Sequence, residues 1–253
     1  METAGFDALL KTISESATVA VDPSMFKFVH EYIDPATPRA AGLWYLEKFV
    51  SKKRGQNLLD FGCGSSPHRK FIEKMGYTYL GVDLAKTTGY RGQLESRRDI
   101  TFYDGDVLPF TDQMFDVVYA NQVFEHVVDP FRSMAECSRV LRKGGAFIGA
   151  VSFLEPYHAY QTFSYTPYGF TQIAERSGFK LRHIYPDRDV LEILLRKLLI
   201  ITRNKHSDNF ADYPRLSTLF EKAYSKLSEK ERISLSLQFC GSFSFHYEKV
   251  TAR

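Results

Sequence analysis

Cysteine is scarce in this chain: only Cys63, Cys137 and Cys240, odd in number and far apart. That excludes a disulfide framework and supplies none of the paired spacings of a zinc site, so a reduced, cytoplasmic protein with no metal is expected. No uninterrupted apolar run is long enough for a bilayer span. The first residues, METAGFDALLKTISESA, lack the basic head and apolar core of a secretory leader. Charge of one sign is also missing. With 33 Lys and Arg against 30 Asp and Glu, the formal net charge is +3, too mild for the basic surface that grips a phosphate backbone, so no nucleic-acid partner is expected. There is no internal repeat or low-complexity tract. What the chain has in quantity is aromatic side chains, 15 Tyr and 21 Phe, spread along its length.

Residues 1–54 read as an N-terminal helical segment, broken where Asp34-Pro35-Ala36-Thr37-Pro38 places two prolines close together. An amphipathic helix over 39–53 then leads into a strand–helix alternation. Strands are expected at Asn57–Phe61, Tyr77–Leu84, Ile100–Tyr103, Phe115–Ala120, Ala146–Phe153 and Phe179–Tyr185. Helices are expected at Pro67–Met75 with Ser66 as N-cap, at Pro130–Leu141 with Asp129 as N-cap, and from Thr166 or Pro167 to Ser177. Repeated strand–helix units predict an α/β fold, a doubly wound, mainly parallel sheet with helices on both faces. Residues 187–238 break the rhythm as a helical insertion. Ser242–Val250 then returns as one more strand, giving a core over 55–186 and 239–253.

The strongest local pattern is Leu58-Leu59-Asp60-Phe61-Gly62-Cys63-Gly64-Ser65-Ser66-Pro67. A strand running into Gly-x-Gly and then a helix makes a turn that brings backbone close to a ligand. A plain strand–helix turn could use the same glycines. A dinucleotide fold, however, would place a third glycine at Ser66 or Pro67, beneath a pyrophosphate. Asp60, just before the first glycine, suits a cationic ligand better than an anionic one. Asp83 closes the next strand, with Leu84 beside it, where a carboxylate holds a ribose diol. Asp106 and Val107 follow the third strand, where a carboxylate and a backbone N–H can meet the edge of an adenine. Three aspartates at successive strand ends form a single ligand-binding edge.

These motifs resemble those of class I S-adenosylmethionine-dependent methyltransferases, in the broad group containing ubiquinone and menaquinone methyltransferases. The resemblance rests on LLDFGCGSS, YLGVDL, GDVLPF, FDVVYANQVFEHVVDP and RVLRKGGAFIGAV, in order and spacing over roughly 57–185. It implies a Rossmann-like seven-stranded sheet whose last strand is antiparallel, between the fifth and sixth. It implies S-adenosylmethionine as cofactor: Asp60, Gly62 and Gly64 along the methionine part, Asp83 on the ribose, Asp106 and Val107 on the adenine, Asn121 and Gln122 bordering the methyl side. Lys143 stands where the family often has proline, and the usual third glycine is replaced.

On the acceptor side, methyl transfer to a hydroxyl is helped by a general base, and histidine is the commonest choice. His158 and His126 are the candidates. Tyr157, Tyr160 and Tyr165 could wall an acceptor with their rings. The aromatic segment 155–170 resembles one in methyltransferases of bacterial polysaccharide and glycolipid assembly, so the acceptor classes are a small molecule, a sugar or glycan, or a lipid-linked molecule. The apolar stretch 190–203 reads first as a buried helix of the accessory region, with a membrane-surface or dimer contact as the alternative. Competing functions are a non-catalytic S-adenosylmethionine-binding protein and a nicotinamide oxidoreductase, the latter disfavoured by Ser66-Pro67. A nucleic-acid methyltransferase is disfavoured by the missing Asn/Asp-Pro-Pro-Tyr motif.

Overall fold

In the computed structural model the described residues are 8, 11–12, 31–33, 46–47, 55–85, 99–158, 160–201 and 225–250. The expected helices of 1–54 and the middle of the insertion lie mostly outside them. The chain divides into two compact units. One comprises Ala40–Ser152, Tyr157–Ile184 and Ser244–Arg253, the other Met1–Arg39, Phe153–Pro156 and Tyr185–Phe243.

The strands form because short apolar runs can be buried on both faces of a parallel sheet. In β1 (Asn57–Phe61) all but the first residue are buried, and in β4 (Phe115–Asn121) all but the last. With β2 (Thr78–Leu84), β3 (Ile100–Tyr103), β5 (Leu141–Ser152), β6 (Phe179–Pro186) and β7 (Ser242–Lys249) they make a seven-stranded sheet in the order β3-β2-β1-β4-β5-β7-β6. β1 pairs in parallel with β2 and β4, β2 with β3, and β4 with β5. β7 runs antiparallel. The Asp187 N–H donates to the Ser242 carbonyl at one end, and the Val250 N–H donates to the Gly178 carbonyl at the other. Chain order reverses about β1, whose neighbours are β2 and β4. The crevice beyond the carboxyl ends of β1 and β4 is therefore the ligand-binding switch point of such a sheet.

Two packed layers hold this unit together. On one face Leu46, Leu58, Ile72, Val117, Tyr119 and Ile148 form an aliphatic and tyrosine cluster. Elsewhere the abundant aromatics interlock: Phe147 meets Phe124, Phe245 and Phe179 at 5.8, 5.0 and 5.1 Å between ring centroids, and Phe170 meets Phe245 at 4.9 Å. Rings at these separations add specificity beyond their buried area.

The helices follow their caps. α1 (Arg69–Lys74) starts two residues later than expected. Ser66 takes a left-handed conformation, φ 59°, in a turn closed by its N–H to the Cys63 carbonyl, and His68 becomes the N-cap. α2 (Pro130–Val140) begins as predicted, its Asp129 side chain accepting from the Arg132 N–H. The carbonyls of Ser138 and Leu141 at its other end accept from Lys249 Nζ, both at 2.6 Å. α3 (Pro167–Arg176) is capped by Thr166, whose hydroxyl accepts from the Gly169 N–H. β5 begins at Leu141 rather than Ala146. Leu141 pairs with Phe115, the register then shifts, and Ala146 pairs with Val117. The intervening residues bulge out of the ladder around Gly144, φ 70°.

In the other unit, α4 (Val190–Ile201) and α5 (Glu229–Gln238) are the described helices of the insertion. α5 opens on a capping box: Ser228 Oγ accepts from the Glu231 N–H, and the Glu231 carboxylate accepts from the Ser228 N–H. α4 departs from the expected buried helix. Leu194, Leu198, Ile200 and Ile201 are exposed, and its buried residue is Glu192. A helix carrying apolar residues around most of its circumference cannot turn all of them inward against one packing surface.

Candidate cofactor and acceptor site

The glycine turn is built by steric necessity. Gly62 has φ 69° and Gly64 φ 53°, and a Cβ on Gly62 would lie 2.5 Å from Val123 Cγ1. The end of β1 therefore passes directly beneath the segment after β4. Only a residue without a side chain fits that approach.

Asp83 and this turn hold each other. The Gly64 N–H donates to Asp83 Oδ2 at 2.7 Å, and the Leu84 N–H donates to Oδ1 at 2.8 Å. Asp83 is buried, 4% exposed. Each oxygen keeps lone-pair capacity beyond these bonds, so the carboxylate is oriented while still able to accept from a ligand. Asp60 is buried next door, and Tyr79 donates its hydroxyl to Asp60 Oδ2 at 2.6 Å. Burial pushes the Asp60 carboxyl up to about 7. The Tyr79 hydrogen bond pulls the other way, and the neighbouring Asp83 adds to the rise. An acidic group poised near neutrality at a strand end is the pattern of a functional site.

Asp106 and Val107 sit exposed on the loop after β3. The Asp104 carboxylate accepts from the Asp106 N–H, and Asp106 pairs with Arg132 at 3.2 Å. Such an exposed pair is worth little energetically and leaves the aspartate accessible. Asn121 ends β4, and Gln122 adopts φ 55°, its N–H donating to the Ala150 carbonyl. The β-strand ends thus gather Asp60, Gly62, Gly64, Asp83 and Asn121 at one edge of the sheet.

Several residues that build this edge carry no local signal in the sequence. Tyr79 fixes Asp60. Gly81 leaves room for Tyr79 and Cys63, since a Cβ there would lie 2.8 Å from Cys63 Sγ and 3.1 Å from the Tyr79 hydroxyl. Arg139 of α2 clamps the loop after β3. Its guanidinium donates to the carbonyls of Leu108 and Phe110 and to the carboxylates of Asp112 and Glu136. Glu136 in turn accepts from the Leu108 N–H at 2.7 Å. The only hint was a Glu136/Arg139 pair at helical spacing, a common surface pattern.

The structure brings His126 and His158 together, edge to face with ring centroids 5.4 Å apart. His126 ends the short 3-10 turn Phe124–His126 after β4. His158 belongs to the segment that leads toward α3. That segment is stitched to the turn: the Thr162 and Phe163 N–H groups both donate to the Glu125 carbonyl, at 2.6 and 3.1 Å. Tyr157 and Tyr160 are open to solvent, 71% and 66% exposed. Tyr165 corrects the expectation. It is 6% exposed, packs on Phe170, and donates its hydroxyl to the Phe124 carbonyl at 3.1 Å, so it is a core residue and not an acceptor wall. Its ring lies beside the start of α3, where the chain turns back into the aromatic core.

Residues 59–149 match the family model described as a methyltransferase domain. A probable S-adenosylmethionine-dependent methyltransferase of Mycolicibacterium smegmatis is 28% identical over 147 residues, 53% of this chain and 56% of that protein. A ubiquinone biosynthesis O-methyltransferase of Coxiella burnetii is 28% identical over 108 residues, 41% of this chain and 46% of that protein. The chain thus spans about half the length of the curated relatives it matches. The fold is shared with phosphoethanolamine N-methyltransferase 2 of Haemonchus contortus, solved with S-adenosylhomocysteine (TM-score 0.51, 21% identity, 83% of this chain and 52% of that one). An α/β sheet of this order, with its last strand antiparallel, is a Rossmann-like fold. Residues 59–149 thus carry the similarity to a methyltransferase domain, and the relatives that share it are S-adenosylmethionine-dependent and ubiquinone biosynthesis methyltransferases.

Proposed function

We propose that the protein transfers a methyl group from S-adenosylmethionine to the oxygen of a small-molecule, sugar or lipid-linked acceptor. The observation that carries this is the mutual lock of Gly64 and Asp83, which sets a buried carboxylate and a side-chain-free turn at one sheet edge. The residues fit the cofactor chemically: Asp83 offers two acceptor oxygens to a diol, Asp60 a buried negative charge to an ammonium, and Gly62 a surface without a Cβ. Asp106, Val107 and Leu84 would flank the base, and Asn121 and Gln122 the reacting side. When bound, the cofactor supplies an electrophilic methyl group on a sulfonium.

The chain's own work is alignment and proton removal. In-line displacement needs acceptor and methyl held at near-attack distance, and this positioning supplies most of the acceleration. His158, with His126 against it, takes the proton of the acceptor hydroxyl. Tyr157 and Tyr160 offer rings to the acceptor. An oxygen acceptor is favoured by the paired histidines, and it agrees with the O-methyltransferase name of the Coxiella burnetii relative.

Calorimetry with S-adenosylhomocysteine tests the cofactor half. Asp83→Ala is expected to weaken binding by at least tenfold, or about 1.4 kcal/mol, by loss of charged-acceptor hydrogen bonds. Equal affinity in both proteins would overturn the assignment.

A further inference from the structure

Glu125, His126 and His158 each present a ligand atom, and these three atoms lie within 4.8 Å of one another. We propose that they bind a divalent transition-metal ion of the Zn2+ type. The proposal rests on the reading of methyl transfer to oxygen and assigns the site that would grip the acceptor.

Donor chemistry chooses the ion. Two imidazoles and one carboxylate suit zinc and its first-row neighbours, whereas Mg2+ and Ca2+ take oxygen ligands. Bond lengths near ~2.0–2.2 Å would draw the three atoms closer than they stand, a movement within reach of side-chain rotation. Three protein ligands leave a coordination position open, the arrangement of a catalytic site and not of a closed structural one.

The scaffold is fixed where the ligands attach. Glu125 is fully buried, and a carboxylate removed from water gains most from an adjacent cation. Its backbone is held from two directions. The Thr162 and Phe163 N–H groups donate to its carbonyl, and Tyr165 bonds its predecessor Phe124 through the ring hydroxyl. His126 donates its N–H to the Val123 carbonyl, and the carbonyl of His158 accepts from the Gln161 N–H. The strands set the position as well. Val123, two residues before Glu125, lies over Gly62, so the short turn that carries two of the three ligands starts against the glycine turn. An ion there would coordinate an acceptor hydroxyl, lower its pKa and orient it, so that the proton could leave to solvent. It would take over the activation assigned above to His158 as a free base, because a metal-bound imidazole has no lone pair left to accept a proton.

Cobalt titration of the full-length, tag-free, chelator-treated protein tests this, since Co2+ reports its coordination in the visible spectrum. One equivalent is expected to develop a saturable absorption of four- or five-coordinate type that Zn2+ displaces. His158→Ala and His126→Ala should each weaken binding by about tenfold or more, since loss of even an outer partner of a metal ligand does so. Glu125→Gln is the third variant, read only where its circular dichroism matches the parent, because it alters a buried group. No saturable absorption, or the same titration in His158→Ala as in the parent, overturns the proposal. Calorimetry with S-adenosylhomocysteine on the same samples separates the two claims. Loss of cofactor binding in the parent sinks the methyltransferase reading whatever the cobalt does, while intact cofactor binding without cobalt binding sinks only the metal.

Discussion

Under the proposed function, Asp60 would couple cofactor binding to pH. Its carboxyl is pushed up to about 7 by burial, against an ordinary value of 3.8. A cationic ligand favours the ionised form, so affinity for S-adenosylmethionine should fall as pH drops below about 7 and level off above it. Asp60→Asn should remove most of that dependence and hold affinity near the low-pH value of the parent. Calorimetry between pH 6 and pH 8.5 reads both (a flat parent profile would refute the coupling). The sign for stability is opposite. A carboxyl raised in the folded state contributes stability that is fully present below the unfolded value and is lost as pH rises through about 7. The unliganded protein should therefore lose some stability over the range in which its cofactor affinity grows. Gly62 gives a second prediction. Gly62→Ala combines φ 69° with a Cβ 2.5 Å from Val123, and should destabilise by about 1–3 kcal/mol in urea denaturation. Adding Val123→Ala should recover only the steric share, because the backbone conformation is unchanged.

Among the elements, α2 does more than cover the sheet. Through Arg139 it fixes the loop that carries Asp106 and Val107, using three acceptors of that loop at 2.8–3.0 Å. Arg139→Ala should release this loop, seen as faster amide exchange over 106–112 and weaker S-adenosylhomocysteine binding. Arg139→Lys should not restore either, because one ammonium cannot span the acceptors that a planar fork reaches. Normal exchange in Arg139→Lys would show that charge alone suffices. Elements of this kind also mark where the sequence could and could not be read. β1 and β3 appear with the expected bounds, since a short apolar run between polar residues has one reading. β5 begins earlier than the sequence alone indicates, because Gly144-Gly145 has the composition of a stop, whereas the chain enters the sheet before it and bulges. The placement of Asp60 and Asp83 at strand ends was legible, because the end of a short apolar strand can be read from its sequence. Tyr79, Arg139 and Glu125 were not, since each acts on a partner distant in sequence. His126 and His158 were each visible, but their meeting depends on backbone bonds from Thr162 and Phe163 that no spacing encodes.

For the whole molecule, ligand linkage gives the most accessible measurement. A ligand at a hundred times its dissociation constant stabilises the folded state by about 2.7 kcal/mol. At about 2–4 °C per kcal/mol for a chain of this size, S-adenosylhomocysteine should raise the melting temperature by roughly 5–10 °C. Asp83→Ala should lose most of that rise while keeping its unliganded melting temperature within a few degrees. An equal rise in both proteins would place the ligand elsewhere. Among the described residues no helix is long and apolar enough to cross a membrane.

The position of β7 bears on how the molecule is made. β3, β2, β1, β4 and β5 can pair in the order they leave the ribosome, each beside a strand already present or soon to follow. β6 cannot join them, because its place is separated from β5 by a strand not yet synthesised. Until residues 242–249 emerge, β5 has a bare edge and Phe147 lacks Phe245 against its ring. Synthesis stalled across the insertion should therefore yield a sticky, chaperone-dependent nascent chain, and release should follow abruptly once the central gap is filled.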